Sequence, residues 1–431
     1  MLYFFFLCLI VPVVYAIRHS YFDGRVEANH VTLFTAGFLI YWMLPIGIAL
    51  LLSSQVQNVL GDDLMNLYAG VGNMGEYLIL CEVIYFSFLA GDTLGRRQRV
   101  RSSGKLKPVS ETILFMFSIM GGLIAAIAMF QARDILLKGK YVTDTDLNRG
   151  FVAASSIFLF LPAVIHIFQT RPSTLKQLLW NRYMILFWPA NLILFLSGGR
   201  LYFISFLLVL VVFWTSFTHR PRVARLAVFL LGAIILMGIV GAYRQAGSDD
   251  HSIIANLLRE PMFTSLSLAS FLGSHKFYLW NFPTYLGSDL INLVPSAVFP
   301  GKLSLMKEVP DVYAPLGALN SFVSFQWNFG IVGTMIFMFL LGYFLARLRR
   351  RLDLWSHVAY VLTCGWLPFT FFRDAFSISL IKNILEFSLL LPAAIIAISR
   401  FVTWAVGGRH LFSPEGSNGA EPASDEDLPK F

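Results

Sequence analysis

Residues 327–351 read WNFGIVGTMIFMFLLGYFLARLRRR: a polar, aromatic approach, a long apolar run, and a stop on Arg347, Arg349, Arg350 and Arg351. About 20 mostly apolar residues are what a helix needs to cross the hydrocarbon of a bilayer. Arginines massed at one end of such a run mark the cytoplasmic side. The same pattern recurs along the chain, at roughly 2–17, 31–52, 76–93, 111–130, 151–168, 183–199, 201–217, 224–243, 326–346, 354–372 and 379–400. The sequence therefore predicts an all-α, polytopic integral membrane protein with about eleven transmembrane helices.

Composition agrees. Of 431 residues, 57% are apolar and 13% charged, and Phe alone fills 41 positions; a soluble globular chain carries about 25% charged residues. The net charge of +8 is no sign of nucleic acid, because the basic residues sit in short clusters between apolar runs. Cys8, Cys81 and Cys364 all fall inside hydrophobic segments, so neither a disulfide framework nor a metal cluster is indicated. The apolar start lacks a basic leader and reads as a first span, not a cleaved signal peptide.

Arg96, Arg97, Arg99, Arg101, Lys105 and Lys107 crowd one loop, and Arg220, Arg222 and Arg225 another. With this order of spans both share a side with Arg347–Arg351, Arg171, Lys176 and Arg182, while 53–75 on the opposite side has no Lys or Arg. That places residues 242–326 outside the cytoplasm, as one large extracytoplasmic loop. One loop dissents: 131–150 holds Arg133, Lys138, Lys140 and Arg149 yet falls outside. The domain reading is a helical membrane domain over 1–412 that includes the loop, then an acidic, Pro/Ser-rich tail over 413–431, cytoplasmic and disordered.

About eighty residues between two spans exceed a connector, since connections in compact proteins are usually ~2–8 residues. Within the loop, 251–272 reads as a short amphipathic helix, a turn at Pro261 and a second helix. KFYLWNFPTYLG (276–287) reads as a headgroup-level aromatic belt, and 286–299 as an interfacial or re-entrant element too short to span.

Four arginines stand at the outer surface in this topology: Arg200, Arg244, Arg259 and Arg373. The planar guanidinium matches two oxygens of a phosphate or pyrophosphate at once; the plainer alternative is a side chain reaching for lipid headgroups. His251 and His275 are candidates for general base work, with Asp249, Asp250, Glu260, Asp289, Glu308 and Asp311 as alternatives or charge partners. Asp249-Asp250-His251 lacks a second ligand group, so it is weak as a metal site. Within the spans, Lys382 and Glu386 stand four residues apart and can neutralise each other. Glu82 has no such partner in its helix and could meet Lys382, line a cavity or carry a proton. His166 and His357 fall near cytoplasmic helix ends.

INLVPSAVFPGKLSL (291–305) and GALNSFVSFQWNFGIVGTMIFMFLLGYFLARLRR (317–350) resemble the Wzy-type polymerases of bacterial surface polysaccharides. SGGR (197–200), AYRQ (242–245) and FFRD (371–374) also look like that family, and the likeness covers roughly 183–400. The resemblance implies a GT-C-type glycosyltransferase in the bacterial inner membrane, independent of nucleotide sugars and of any cofactor or metal. Its implied partners are undecaprenyl-pyrophosphate-linked glycans, membrane lipids and a polysaccharide chain-length regulator, with no nucleic acid. It implies Arg200 and Arg244 at the pyrophosphate and Arg259 and Arg373 in support, with Lys302 of PGK and Asn328 of NFG as substrate-binding positions. No base motif carries over, so His275 and His251 rest on chemistry alone. An O-antigen ligase, using Arg244 and His275 and transferring to lipid A core, is the nearest alternative. A flippase or transporter is the more distant one, since no internal repeat is present.

Overall fold

The computed structural model describes residues 2–22, 24–51, 74–98, 108–138, 149–196, 200–218, 221–225, 253–274, 278–283, 286–291, 312–314, 319–374 and 376–407, with a few isolated positions between. Most of these residues are helical, joined by short turns and extended pieces such as 278–283 and 312–314 and by a small hairpin, β1 (Tyr21–Phe22) and β2 (Arg25–Val26). The helices are α1 (Leu2–Ser20), α2 (His30–Phe38) continued by a π-helical stretch Leu39–Met43 into α3 (Leu44–Leu51), α4 (Met74–Arg97), α5 (Glu111–Lys138), α6 (Arg149–Thr170), α7 (Leu175–Leu179), α8 (Met184–Leu196) and α9 (Arg200–Phe213). After these come α10 (Ile253–Ser274), α11 (Leu286–Leu290), α12 (Ser321–Arg350), α13 (Leu354–Trp366), α14 (Thr370–Arg373), a π-helical Ser377–Leu390 and α15 (Leu391–Gly407).

Among the described residues six helical stretches are long and apolar enough to cross a membrane: His30–Ile48, Gly75–Arg97, Glu111–Phe130, Leu201–Thr218, Ser321–Arg350 and Ile378–Ala405. Phe5–Ser20, Ser155–Thr170 and Met184–Phe195 are shorter apolar helices. This is a helical membrane protein. Most of the expected span 224–243 lies outside the described residues.

The central contact is between α4 and α12. Gly91 backs onto the Phe339 carbonyl and Tyr343, Gly342 onto the Phe88 carbonyl, and Gly95 onto Tyr343 and Ala346, so closely that a Cβ at any of the three would collide. Lipid is as apolar as the helices, so association inside a membrane depends on such close backbone packing. Residue numbers rise together along this seam, so the two helices run parallel. Arg96 and Arg97 then emerge at the same end as Arg347, Arg349 and Arg350.

Side-chain contacts order the other helices against this pair. Tyr15 near the end of α1 meets Thr93, 3.1 Å away, while Phe5 near its start lies against Gly47 of α3. Glu111 at the start of α5 meets His166 near the end of α6 at 3.1 Å and Tyr183 at the start of α8 at 2.6 Å. Thr215, just past α9, receives the Ala28 N–H at 3.0 Å, and Val26 N–H donates to the Pro221 carbonyl at 3.0 Å. The molecule thus has a basic end, where these groups gather, and a far end, where α9 and α12 begin.

One loop expectation changes. Residues 253–274 form one helix that continues through Pro261, with no turn there. Proline in a helix interior costs about 3 kcal/mol, and tertiary packing outweighs it: Met262, Leu266, Leu268, Ala269 and Phe271 are buried against α3, α12, α14 and the π-helical stretch after α2. Thr264, Ser265 and Ser267 are buried too, so this half of α10 is enclosed. Of the 286–299 element, a five-residue helix is described and most of the remainder is not.

Candidate functional site

At the far end α12 is broken. Asn320 caps its start, its side chain accepting the Phe322 N–H at 3.0 Å, but Gly330 has φ +67° and ψ −173°. Such a break orphans carbonyls before it and N–H groups after it. Residues 278–281 serve both sets. Tyr278 and Leu279 carbonyls accept the N–H groups of Ile331 and Val332 at 2.9 and 3.0 Å. Asn281 donates its backbone N–H to Phe329 O at 3.3 Å and its side-chain amide to Trp327 O at 2.6 Å. Only glycine fits at 330: its φ is left-handed, and a Cβ there would lie 2.7 Å from the Tyr278 carbonyl. Irregular backbone inside a membrane protein is tolerated where neighbouring protein satisfies it in this way.

The serines of α10 tie this end together. Ser267 Oγ accepts the Asn320 N–H at 2.8 Å, Ser270 Oγ accepts the Tyr313 N–H at 3.0 Å, and Ser265 shares a 2.9 Å hydrogen bond with Tyr77 of α4. Ser321, opening α12, donates to the Phe371 carbonyl of α14. Arg373 ends α14, half-buried, with its N–H on the Phe369 carbonyl. Tyr202, one turn into α9, sets its ring edge against Trp366 at 5.4 Å and lies within electrostatic reach of Arg373 and Asp374.

The helix ends bearing two sequence-predicted arginines therefore adjoin: Arg200 opens α9 and Arg373 closes α14. Arg259 belongs to α10, which packs on α14. The side chains of Arg200 and Arg259 lie outside the described residues, as do Arg244, His251, His275 and Lys302. Asn328 is buried, and its amide donates to the Ser324 carbonyl one turn back at 3.0 Å. Among the described residues no group of three His, Cys, Asp or Glu could hold a metal ion.

A second polar centre, which the sequence reading did not single out, lies at the basic end. His30, first residue of α2, and Asp92, near the end of α4, are both fully buried and meet at 2.8 Å, Nε2 to Oδ1. Arg96 Nε reaches the same carboxylate oxygen at 2.8 Å. Tyr360 of α13 accepts the His30 backbone N–H at 3.2 Å and sits 3.1 Å from its Nδ1. In the neutral ring this fixes the tautomer: the Tyr360 hydroxyl donates to Nδ1, and Nε2–H donates to Asp92. Arg349 pairs with buried Glu27 beside this cluster. Two buried carboxylates thus meet two arginines, the form in which buried charge is normally kept. The available signal was an aspartate inside a predicted span four residues before an arginine, with a histidine at the entry of another.

Three other polar residues flagged in the sequence are placed as follows. His357 is buried between the rings of Phe168 and Phe217, not exposed at an interface. Lys382 lies over the Phe387 ring at 5.9 Å. Glu82 faces Cys8 of α1.

Neither a family model nor a curated protein nor a solved structure matches this chain. Its function has to be argued from its own residues.

Proposed function

We propose that the chain polymerises lipid-linked oligosaccharide repeat units, transferring a growing glycan from undecaprenyl pyrophosphate to the next lipid-linked unit. The observation that supports this best is the meeting, at the end away from the basic clusters, of the helix termini carrying Arg200 and Arg373. Cations collected there suit a departing pyrophosphate, whose charge accumulates as the glycosidic bond to it breaks and is stabilised electrostatically by fixed positive groups. Arg244 and Arg259 complete the anion site in this reading. The acceptor hydroxyl gives its proton to His275, His251 or a loop carboxylate.

The reading keeps eleven spans, with the basic end in the cytoplasm and the arginine end in the periplasm of the inner membrane. In its support, α4 and α12 run parallel, as two helices separated by an even number of turns must, and the basic clusters share one end. The resemblance to Wzy-type polymerases supplies the substrate class.

The test is reconstitution of purified protein with a lipid-linked repeat unit alone. A ladder of lengthened glycans is expected, lost in Arg244→Ala and Arg373→Ala at unchanged protein level. Product that forms only when lipid A core is added would make the chain a ligase. Lipid translocation without a new glycosidic bond would make it a flippase.

A further inference from the structure

Among the described residues three carboxylates are buried in the bundle: Glu27, Asp92 and Glu82. Two are matched by arginines, Glu27 by Arg349 and Asp92 by Arg96. The third is not. Glu82 is 8% exposed, midway along α4, and neither of its oxygens has a hydrogen-bond donor among nitrogen and hydroxyl groups. The groups within its electrostatic reach are Cys8 from α1 and Cys81 and Tyr85 from its own helix. Tyr85 is itself engaged with Thr35 of α2 at 2.7 Å. No arginine or lysine among the described residues faces it, and Lys382 rests on Phe387.

An isolated carboxylate in such surroundings cannot remain ionised without a large desolvation penalty, whereas a neutral carboxylic acid can sit beside a thiol. Ionisable residues within membrane spans that lack a fixed counter-ion serve ion or proton handling. We infer that Glu82 is a proton-binding site inside the membrane, at the seam of α1 and α4. On uptake a carboxylate oxygen forms an O–H bond as one O–H bond of a hydronium ion breaks, leaving water, and release to water reverses the step. On release the anion faces, among the described residues, only thiols and a tyrosine, so the contact of α1 with α4 at Cys8 is the one that loosens. This site does not depend on the polymerase reading.

Infrared difference spectroscopy on the full chain in lipid nanodiscs tests it. Wild type minus Glu82→Gln should show a carboxylic acid C=O band that moves down in D2O and whose amplitude changes reversibly with pH. Cys8→Ser, which keeps the carboxyl but replaces its neighbour, should shift that band without removing it. This second variant reads the same group even if Glu82→Gln fails to fold. Carboxylate bands alone at every pH, or a C=O band indifferent to Cys8→Ser, would overturn the assignment. A band that responds to sodium ions instead of pH would replace the proton with a metal cation and overturn it equally.

Discussion

Asn281 caps the first half of a helix that Gly330 has broken, giving its backbone N–H to Phe329 and its side-chain amide to Trp327 at 2.6 Å. One residue from a distant loop thereby does the work of a helix C-cap. Asn281→Ala removes the shorter of the two bonds and should cost about 1–3 kcal/mol, the range for disturbing a buried hydrogen bond. Gly330→Ala should cost more, because left-handed backbone disfavours a side chain by roughly 1–2 kcal/mol and the new methyl displaces Tyr278 and Trp280. Thermal unfolding in detergent, followed by tryptophan fluorescence, would rank the two. Equal wild-type midpoints would mean that the inserted segment is not held by these contacts.

Asp92 accepts from both His30 and Arg96, at 2.8 Å each. Asp92→Ala strips the cluster of its acceptor and leaves buried cationic capacity behind, so a loss of about 3–5 kcal/mol is expected. Asp92→Asn keeps one acceptor oxygen and should lose less. Tyr360→Phe should lower stability by a smaller amount again, since it removes one buried hydroxyl, about 1–3 kcal/mol. Chemical denaturation of the three variants in one detergent checks the order.

The glycine seam should be the most sensitive packing in the molecule. Gly91→Leu or Gly342→Leu forces α4 and α12 apart, because even a Cβ at these positions meets backbone atoms of the facing helix. Each should reduce folded yield severely, while Gly122→Leu should be tolerated, since a Cβ at Gly122 makes only ordinary contact with Leu186, at 3.9 Å. Size-exclusion profiles of the purified variants would separate these outcomes.

Asp353 supplies the pH dependence. It caps α13, accepting the Ser356 N–H at 2.9 Å and the Ser356 hydroxyl at 2.8 Å. Burial alone would raise its carboxyl, but the Ser356 hydrogen bonds and nearby Arg351 outweigh burial and hold it below the usual carboxylate value. A carboxyl depressed in the folded state contributes stability that is complete above its unfolded value, about 3.9, and is lost as pH falls through the folded one. Asp353→Asn, which resembles the protonated carboxyl, should therefore lower stability near neutrality, match wild type at strongly acid pH and so flatten the acid limb of a stability–pH profile. An unchanged acid limb would show that the cap does not titrate with folding.

At the proposed site, Arg373→Lys separates charge from shape. A guanidinium that grips two oxygens is poorly replaced by a point charge, so chain growth should fall tenfold or more in Arg373→Lys and further in Arg373→Ala. Equal activity in Lys and wild type would leave Arg373 a role of charge alone.

Helical spans were legible in the sequence because hydrophobic length is read locally: the runs at 31–52, 76–93, 111–130 and 201–217 each match a described helix within a few residues. Pro261 misled for the same reason, since a local breaker was weighed without the packing that carries α10 through it. The insertion of Tyr278–Asn281 into α12 left no local trace beyond one glycine in NFG, because the partner lies some fifty residues away. Asp92 drew no attention in the sequence, because His30 and Tyr360, which form the cluster with it, are remote in the chain. Lys302, Arg244, His251 and His275 fall outside the described residues, so the predicted site is legible in structure only through Arg373, Asn328 and the backbone positions of Arg200 and Arg259.

The parallel seam of α4 and α12 also sets a timetable for biogenesis. Gly91 is threaded into the bilayer long before Phe339 and Gly342, its eventual neighbours, leave the ribosome. At ~5–20 residues per second of synthesis, that interval is on the order of tens of seconds. Throughout it, the bare glycine face of α4 stands against lipid or against whatever insertion factor shields it. The nascent protein's first half is therefore an unfinished surface, and its quality control has to wait for α12.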